Sequence, residues 1–300
     1  MHLNKPTMRQ GNPSGVKVLI VGGGIGGLFC AVEMYRQGHN VRVLESKKDV
    51  DAIGSFIRSA PDANLESLFL LTDFECLPLD LGDFVGIGVS ATRQFAKWPG
   101  MTATYEHIRY KPVMSFLKFD GEVLGGPFPA EDSPETPVPI HRAKLQQALY
   151  DYVISLGISV TFSSHVSQYF QAQDEAKAGV ITDAGERFEA DLVVAADGVG
   201  SKSWKLIQGS QSEARSSGFA VYRTAFPTEV AHADAEVAEK FPVLPDGTDD
   251  VRMYLGPDTH AITLISKDIT TWSLTHKVSL LLRTHSSSQA FPTQNHLYPC

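Results

Sequence analysis

The chain has 300 residues, 43% of them hydrophobic, with 34 acidic against 26 basic side chains and a formal net charge of −8. That balance excludes a disordered or collagen-like chain, and an acidic chain without a basic stripe is a poor nucleic-acid binder. The three cysteines, Cys30, Cys76 and Cys300, are scattered without metal-ligand spacing, which points to a reducing compartment and to a core that needs no disulfide or structural metal.

At roughly 150 residues per domain, the length corresponds to about two domains. Residues 1–15 are polar, carry Lys5, Pro6, Arg9 and Pro13, lack the apolar stretch of a secretory signal, and read as a flexible tail. No run approaches the ~20 apolar residues of a spanning helix, so the expectation is a soluble protein, cytoplasmic or otherwise intracellular. Val16–Val21 is an apolar, β-branched run that predicts a buried parallel strand. Gly22-Gly-Gly-Ile-Gly-Gly27 follows at once. Leu28–Gln37 then reads as a helix stopped by Gly38, and Val41–Leu44 as a second strand with Glu45 at its end. This is one complete β-α-β unit.

Ser55–Leu81 has no clear period. Gly82–Gly88 is glycine-rich and leads into a helix over Ser90–Phe95. Tyr105–Phe119 alternates as strands do, with a turn at Asp120-Gly121, and proline-rich Pro127–Pro139 reads as a loop. A helix is predicted over Ile140–Leu156, ended by Gly157. Ile158–Phe162, Val166–Ala172 and Gly179–Thr182 are strand candidates, with a turn at Asp183-Ala-Gly185. Asp191–Ala196 reads as another buried strand ending in Asp197-Gly198. Ser217–Pro227 and Val251–Ile265 predict a second sheet, and beyond Lys277 polar residues dominate.

The glycine pattern Gly22-x-Gly24-x-x-Gly27 is specific because of its setting, with a strand before it, a helix after it and an acid beyond. In such a unit the first glycine makes the tight turn, the second admits a pyrophosphate, and the third lets helix and strand pack closely. The helix N-terminus offers N–H groups and a positive dipole end to the phosphates. Glu45 is placed to accept both ribose hydroxyls of an adenosine and to repel a 2′-phosphate, so the site suits FAD or NAD and not NADP. The bland alternative is a glycine turn that binds nothing.

Asp197-Gly198 at the carboxyl edge of a strand is a second site feature. Together with the fingerprint it resembles the Asp-Gly motif of single-component flavin monooxygenases, the family typified by para-hydroxybenzoate hydroxylase. There the aspartate helps to hold the FAD diphosphate and ribose. The motif's usual closing arginine is Trp204 here. Ile140-His-Arg142-Ala-Lys-Leu145 resembles the family's helix-opening motif and implies that Arg142 reaches the flavin side of the cofactor. Gly82-Asp-Phe-Val-Gly86-Ile-Gly88 resembles the segment of fungal secondary-metabolism members whose glycine lies against FAD, which implies the same for Gly86. Ser217–Phe226 resembles the strand of that subgroup whose arginine lies near substrate and flavin, which makes Arg223 the catalytic candidate, with Tyr222 on the other face as packing. The local alternatives are an ordinary Asp-Gly turn, a solvated helix-start arginine and a sheet-surface ion pair.

The resemblance implies an α/β fold, a Rossmann-like FAD-binding domain (16–100 and 140–212) with a smaller β-sheet substrate domain (101–139 and 213–275) and a disordered tail over 276–300. It implies bound FAD, NAD(P)H as a transient co-substrate without its own Rossmann domain, and O₂ activated as a flavin hydroperoxide. A hydrophobic terpenoid or polyketide is then hydroxylated or epoxidised. Such chemistry asks the protein to exclude water and aim the oxygen donor, which agrees with the lack of any Ser/His/Asp or metal cluster.

Two departures stand out. Residues 55–82 separate the acid from the Gly-Asp-Phe segment and read as an insertion, either a natural lid or a translated intron. Val278-Ser279 is also what an intron donor site would encode in frame. The family's Gly-Asp-Ala-x-His motif is absent from the sequence, which implies a truncated chain and an alternative as a non-catalytic fragment. The other alternative, an NAD-dependent dehydrogenase, lacks an accompanying catalytic His/Lys/Tyr set.

Overall fold

The computed structural model describes residue 8 and residues 12–50, 84–129, 138–172, 177–210 and 216–278. The proposed insertion at 55–82 and the tail from 279 onward lie outside the described residues. In chain order the elements are β1 Lys17–Val21, α1 Ile25–Arg36, β2 Asn40–Leu44, β3 Phe84–Ile87, α2 Val89–Phe95, α3 Met101–Ile108, β4 Val113–Lys118, β5 Val123–Pro129 and β6 Val138–His141. They continue with α4 Arg142–Ser155, β7 Ser159–Thr161, β8 Val166–Ala172, β9 Lys177–Thr182, β10 Arg187–Ala190, β11 Leu192–Ala195 and α5 Ser203–Gln208. The last group is β12 Phe219–Pro227, α6 Thr228–Ala231, α7 Ala235–Lys240, β13 Asp250–Gly256, β14 Thr259–Ile265 and β15 Ile269–Lys277.

A parallel sheet of order β11-β1-β2-β7 forms the centre. Because side chains alternate across a strand, β1 serves two cores. Val18 and Ile20 join Leu28, Ala31 and Val32 of α1 and Leu145, Leu149 and Val153 of α4. Leu19 and Val21 join Leu44, Val166, Tyr169, Val180 and Ala190 against the antiparallel sheet β10-β9-β8. That double burial is why β1 reads as an unbroken apolar run. β11 does not share it. It is the sheet's edge among the described residues, and its Leu192 is 42% exposed, so the expected buried strand over Asp191–Ala196 is corrected to a half-open one.

A six-stranded sheet, β12-β15-β14-β13-β4-β5, joins two distant stretches of chain through the parallel pair β13–β4. β3 and β6 pair antiparallel, matching Gly86 with Pro139. β5, β10 and β15 are strands that periodicity left unread, and Pro127–Pro129 is strand, not loop. Ile140 and His141 are likewise strand. The helix begins at Arg142, where the His141 ring Nδ1 accepts from the Lys144 N–H at 3.3 Å.

The strand expected from Tyr105 is helical as far as Ile108, since Met101, Tyr105 and Ile108 recur at i, i+4 and i+7. Met101 and Tyr105 are buried in the same cluster as Leu145 and Leu149, so α3 packs with the Rossmann side. At the start of the chain Met8 is buried in that cluster and the Ser14 N–H donates to Gly38 O, so the expected flexible tail is tied down at both points. At the other end the Val278 N–H donates to Gly218 O.

Trp98, 1% exposed, closes this core and donates from Nε1 to Glu33 Oε1 at 2.5 Å, while Arg36 holds Oε2 at 2.9 Å. Burial works against the Glu33 charge, but the Arg36 and Trp98 hydrogen bonds outweigh it and hold the carboxyl below its ordinary value of 4.5. A depressed carboxyl contributes stability that is complete above 4.5 and is lost as pH falls through the folded value. Glu33→Gln is therefore expected to be less stable than the parent at neutral pH and to lose less stability between pH 6 and pH 3 in urea unfolding. Equal acid losses in the two proteins would remove Glu33 from the account.

Candidate nucleotide-binding site

The turn after β1 is built by forced glycines. Gly22 has φ +107° and its N–H donates to Leu44 O at 2.8 Å, and a Cβ there would overlap the Ala196 carbonyl. A Cβ on Gly27 would overlap Gly22 O, so the first turn of α1 sits against the loop as the fingerprint requires. Gly24 is the N-cap of α1, no side chain caps the helix, and a Cβ on Gly24 would meet nothing within 4 Å. The helix end is thus open to a ligand.

Gly22, Gly24, Glu45, Asp197 and Gly198 line one cavity of about 380 Å³ at the carboxyl ends of β1, β2 and β11. Five of the predicted residues are therefore brought together, and Gly27 lies directly beneath them. Glu45 is 5% exposed and already accepts three hydrogen bonds, from Gly23 N–H (2.6 Å), Lys47 N–H (2.7 Å) and Ser46 Oγ (3.0 Å). A carboxylate has about four acceptor positions, so roughly one remains, and a second opens if the exposed Ser46 hydroxyl turns away.

Asp197 is held on one side. Its Oδ2 accepts from the Tyr169 hydroxyl at 2.7 Å, and burial together with that bond pushes the phenol up, so it stays a donor. Oδ1 is buried and has no hydrogen-bond partner. A buried acceptor left unsatisfied is costly and marks where a donor belongs. Lys47 and Lys202 line the same cavity. An uncapped helix end and two ammonium groups suit phosphate oxygens, and two carboxylates with open positions suit hydroxyl donors. This donor set fits the ribose and diphosphate of a dinucleotide. Among the described residues no group of three or more His, Cys, Asp or Glu is arranged to hold a metal, and no helix is long and apolar enough to cross a membrane.

The other predicted residues lie elsewhere. Gly86 on β3 and Arg142 at the start of α4 do not line this cavity. Arg223 lies on the edge strand β12 in the cross-strand row Arg223–Ser273–Ile262–Met253–Phe116. The next row on that face, Ala225–Thr271–Leu264–Val251–Met114, packs against Phe84 of β3. Arg223 therefore shares the face that meets the β3 side. Tyr222, on the opposite face, stacks on His276 with ring centres 5.5 Å apart. Trp204 lines an apolar groove along β11 with Val193 and Ile207 and does not line the Glu45 cavity. Gly23, Lys47, Tyr169 and Lys202 escaped the sequence reading. Only Gly23, inside the glycine run, carried a local signal.

A family model described as an NAD(P)-binding Rossmann-like domain matches residues 20–52. An FAD-dependent monooxygenase of Claviceps purpurea is 33% identical over 280 residues, 89% of this chain and 49% of that protein. The FAD-dependent monooxygenase fsr3 of Gibberella fujikuroi is 30% identical over 273 residues, 88% of this chain and 47% of that protein. The crystal structure of CtdE in complex with FAD superposes with a TM-score of 0.67 at 25% identity, covering 92% of this chain and 62% of CtdE. The chain spans about half the length of the curated relatives it matches. The chain is thus similar to FAD-dependent monooxygenases of fungi, which align with it over nearly nine-tenths of its own length.

Proposed function

We propose that this chain binds FAD in the Glu45–Asp197 cavity and serves a monooxygenase reaction driven by NAD(P)H and O₂ on a hydrophobic secondary metabolite, a terpenoid or polyketide that is hydroxylated or epoxidised. The observation that carries the reading is that Asp197, whose Oδ1 is buried and without a partner, lines the same cavity as Glu45 and the open end of α1. FAD, when bound and reduced, supplies the activation of O₂, one atom going to the substrate and the other leaving as water. In this reading the Gly22–Gly24 turn, the α1 N-terminus and Lys202 hold the diphosphate. Glu45 and Asp197 accept hydrogen bonds from hydroxyls of the ribose and the ribityl chain, and Tyr169 holds the Asp197 carboxylate through its Oδ2. Arg223, with Ile262, Met253 and Phe116 on its face of the sheet, is the residue set assigned to the substrate side. The apolar side chains exclude water there, and the guanidinium orients a polar group of the substrate.

Glu45→Ala is expected to weaken FAD binding by roughly 1–3 kcal/mol, about five- to 150-fold, through stranded hydroxyl and amide donors. Flavin fluorescence titration reads it, and an unchanged affinity would remove Glu45 from the site. NAD(P)H oxidation coupled to product formation tests the catalytic part. FAD binding without turnover favours a nucleotide-binding chain that is not itself catalytic.

A further inference from the structure

Gln146 belongs to no motif described above, yet it is 2% exposed and carries a hydrogen-bonding amide into the core. Its Nε2 donates to the Gly23 carbonyl at 2.5 Å. The same glycine donates its N–H to Glu45 Oε2 at 2.6 Å. Gly23 is thus gripped at both of its backbone polar groups, by α4 on one side and by the end of β2 on the other.

A peptide unit is planar and trans, so the Gly23 carbonyl and the Gly24 N–H point in opposite directions. With the carbonyl drawn toward α4, the Gly24 N–H is turned away from it. Gln146 borders a separate cavity with His141 and Asp151, whereas Gly24 borders the one with Glu45 and Asp197. A Gly-Gly peptide has no Cβ to bias it and flips at little cost, so its orientation has to come from outside. Gln146 is well placed to supply it, because Leu145 and Leu149 fix α4 in the core beside Leu28 and Val32 of α1.

We propose that Gln146 is a positioning residue for diphosphate recognition: its amide clamps the Gly23 carbonyl so that the Gly24 N–H faces the cavity as a phosphate donor. A flipped peptide would instead present a carbonyl oxygen to the phosphate. The inference rests on the reading that the cavity takes FAD.

The test compares ligands with and without phosphate on the whole 300-residue protein. Gln146→Met keeps the length and removes the donor, and Gln146→Glu keeps length and polarity while replacing the N–H with an acceptor. Both are expected to lose FAD and ADP affinity by roughly ten- to hundredfold, the worth of a hydrogen bond to a charged group. Adenosine binding, measured by equilibrium dialysis, is expected to hold within about twofold. General loosening of the fold would weaken all three ligands together. Unchanged ADP binding, or equal losses for ADP and adenosine, in either folded variant while the parent binds FAD would overturn the role of Gln146. A parent protein that binds neither FAD nor ADP would overturn the nucleotide-site reading, and this inference with it.

Discussion

Gly27→Ala is expected to lower stability by about 2 kcal/mol or more and to abolish measurable FAD binding. Propensity alone predicts the opposite sign, because alanine in a helix interior is favoured over glycine by about 1 kcal/mol. The position decides against it. Gly27 is buried in the first turn of α1, and a Cβ there would overlap the Gly22 carbonyl oxygen, a backbone atom that cannot rotate aside. Gly22 in turn is threaded between Leu44 O and Ala196 O and holds φ +107°. Relief therefore requires moving the loop off the helix, which spreads the cost over the β1–α1 contact and displaces the surface that meets a phosphate. Overpacking ordinarily costs about 1–3 kcal/mol, and here it has no flexible neighbour to absorb it. Urea unfolding and FAD titration read the two effects together. A Gly27→Ala protein as stable as the parent would contradict the close packing of α1 on the turn.

Trp98→Ala is expected to cost roughly 3–5 kcal/mol in stability with little change in FAD affinity of the folded fraction. The indole is 1% exposed and sits 4.7 Å from the Phe29 ring of α1, 5.4 Å from Phe95 of α2 and 5.7 Å from Tyr152 of α4 between ring centres. One side chain thus ties three helices together, and its removal also strips a donor from Glu33. Trp98→Phe is expected to recover more than half of the loss, since it keeps the ring and forfeits the Nε1–Glu33 bond. A cost below about 1 kcal/mol for alanine would show that the helices hold together without it.

The β1–α1–β2 unit was legible because each of its parts leaves a local mark. β1 is buried on both faces and so reads as a continuous apolar run, and the turn admits glycine alone at Gly22 and Gly27. Asp197 lines the cavity with Glu45, but the strand before it is half-open and not buried, because edge position is set by topology, not by composition. Tyr105 was misread where a short alternation competed with the wider spacing of Met101, Tyr105 and Ile108. β15 was missed although it lies between β12 and β14, because Ile269–Lys277 is rich in threonine and looks polar in one dimension. The site's supporting residues were hidden for a different reason. Tyr169 reaches Asp197 from 28 residues away, and Gln146 reaches Gly23 from 123 away, so only folding brings them into contact. Arg142, Gly86 and Arg223 were assigned by resemblance, and none of them lines the cavity.

The central claim is that Glu45, Asp197 and the open N-terminus of α1 form a single dinucleotide site. The most direct measurement is titration of the purified 300-residue protein with FAD, followed by flavin fluorescence, with ADP added as a competitor. The account predicts saturable binding with one FAD per chain, displacement by ADP, and weakening of both when Asp197 is replaced by alanine. Absence of saturable flavin binding, or FAD binding that neither ADP nor Asp197→Ala affects, would contradict it.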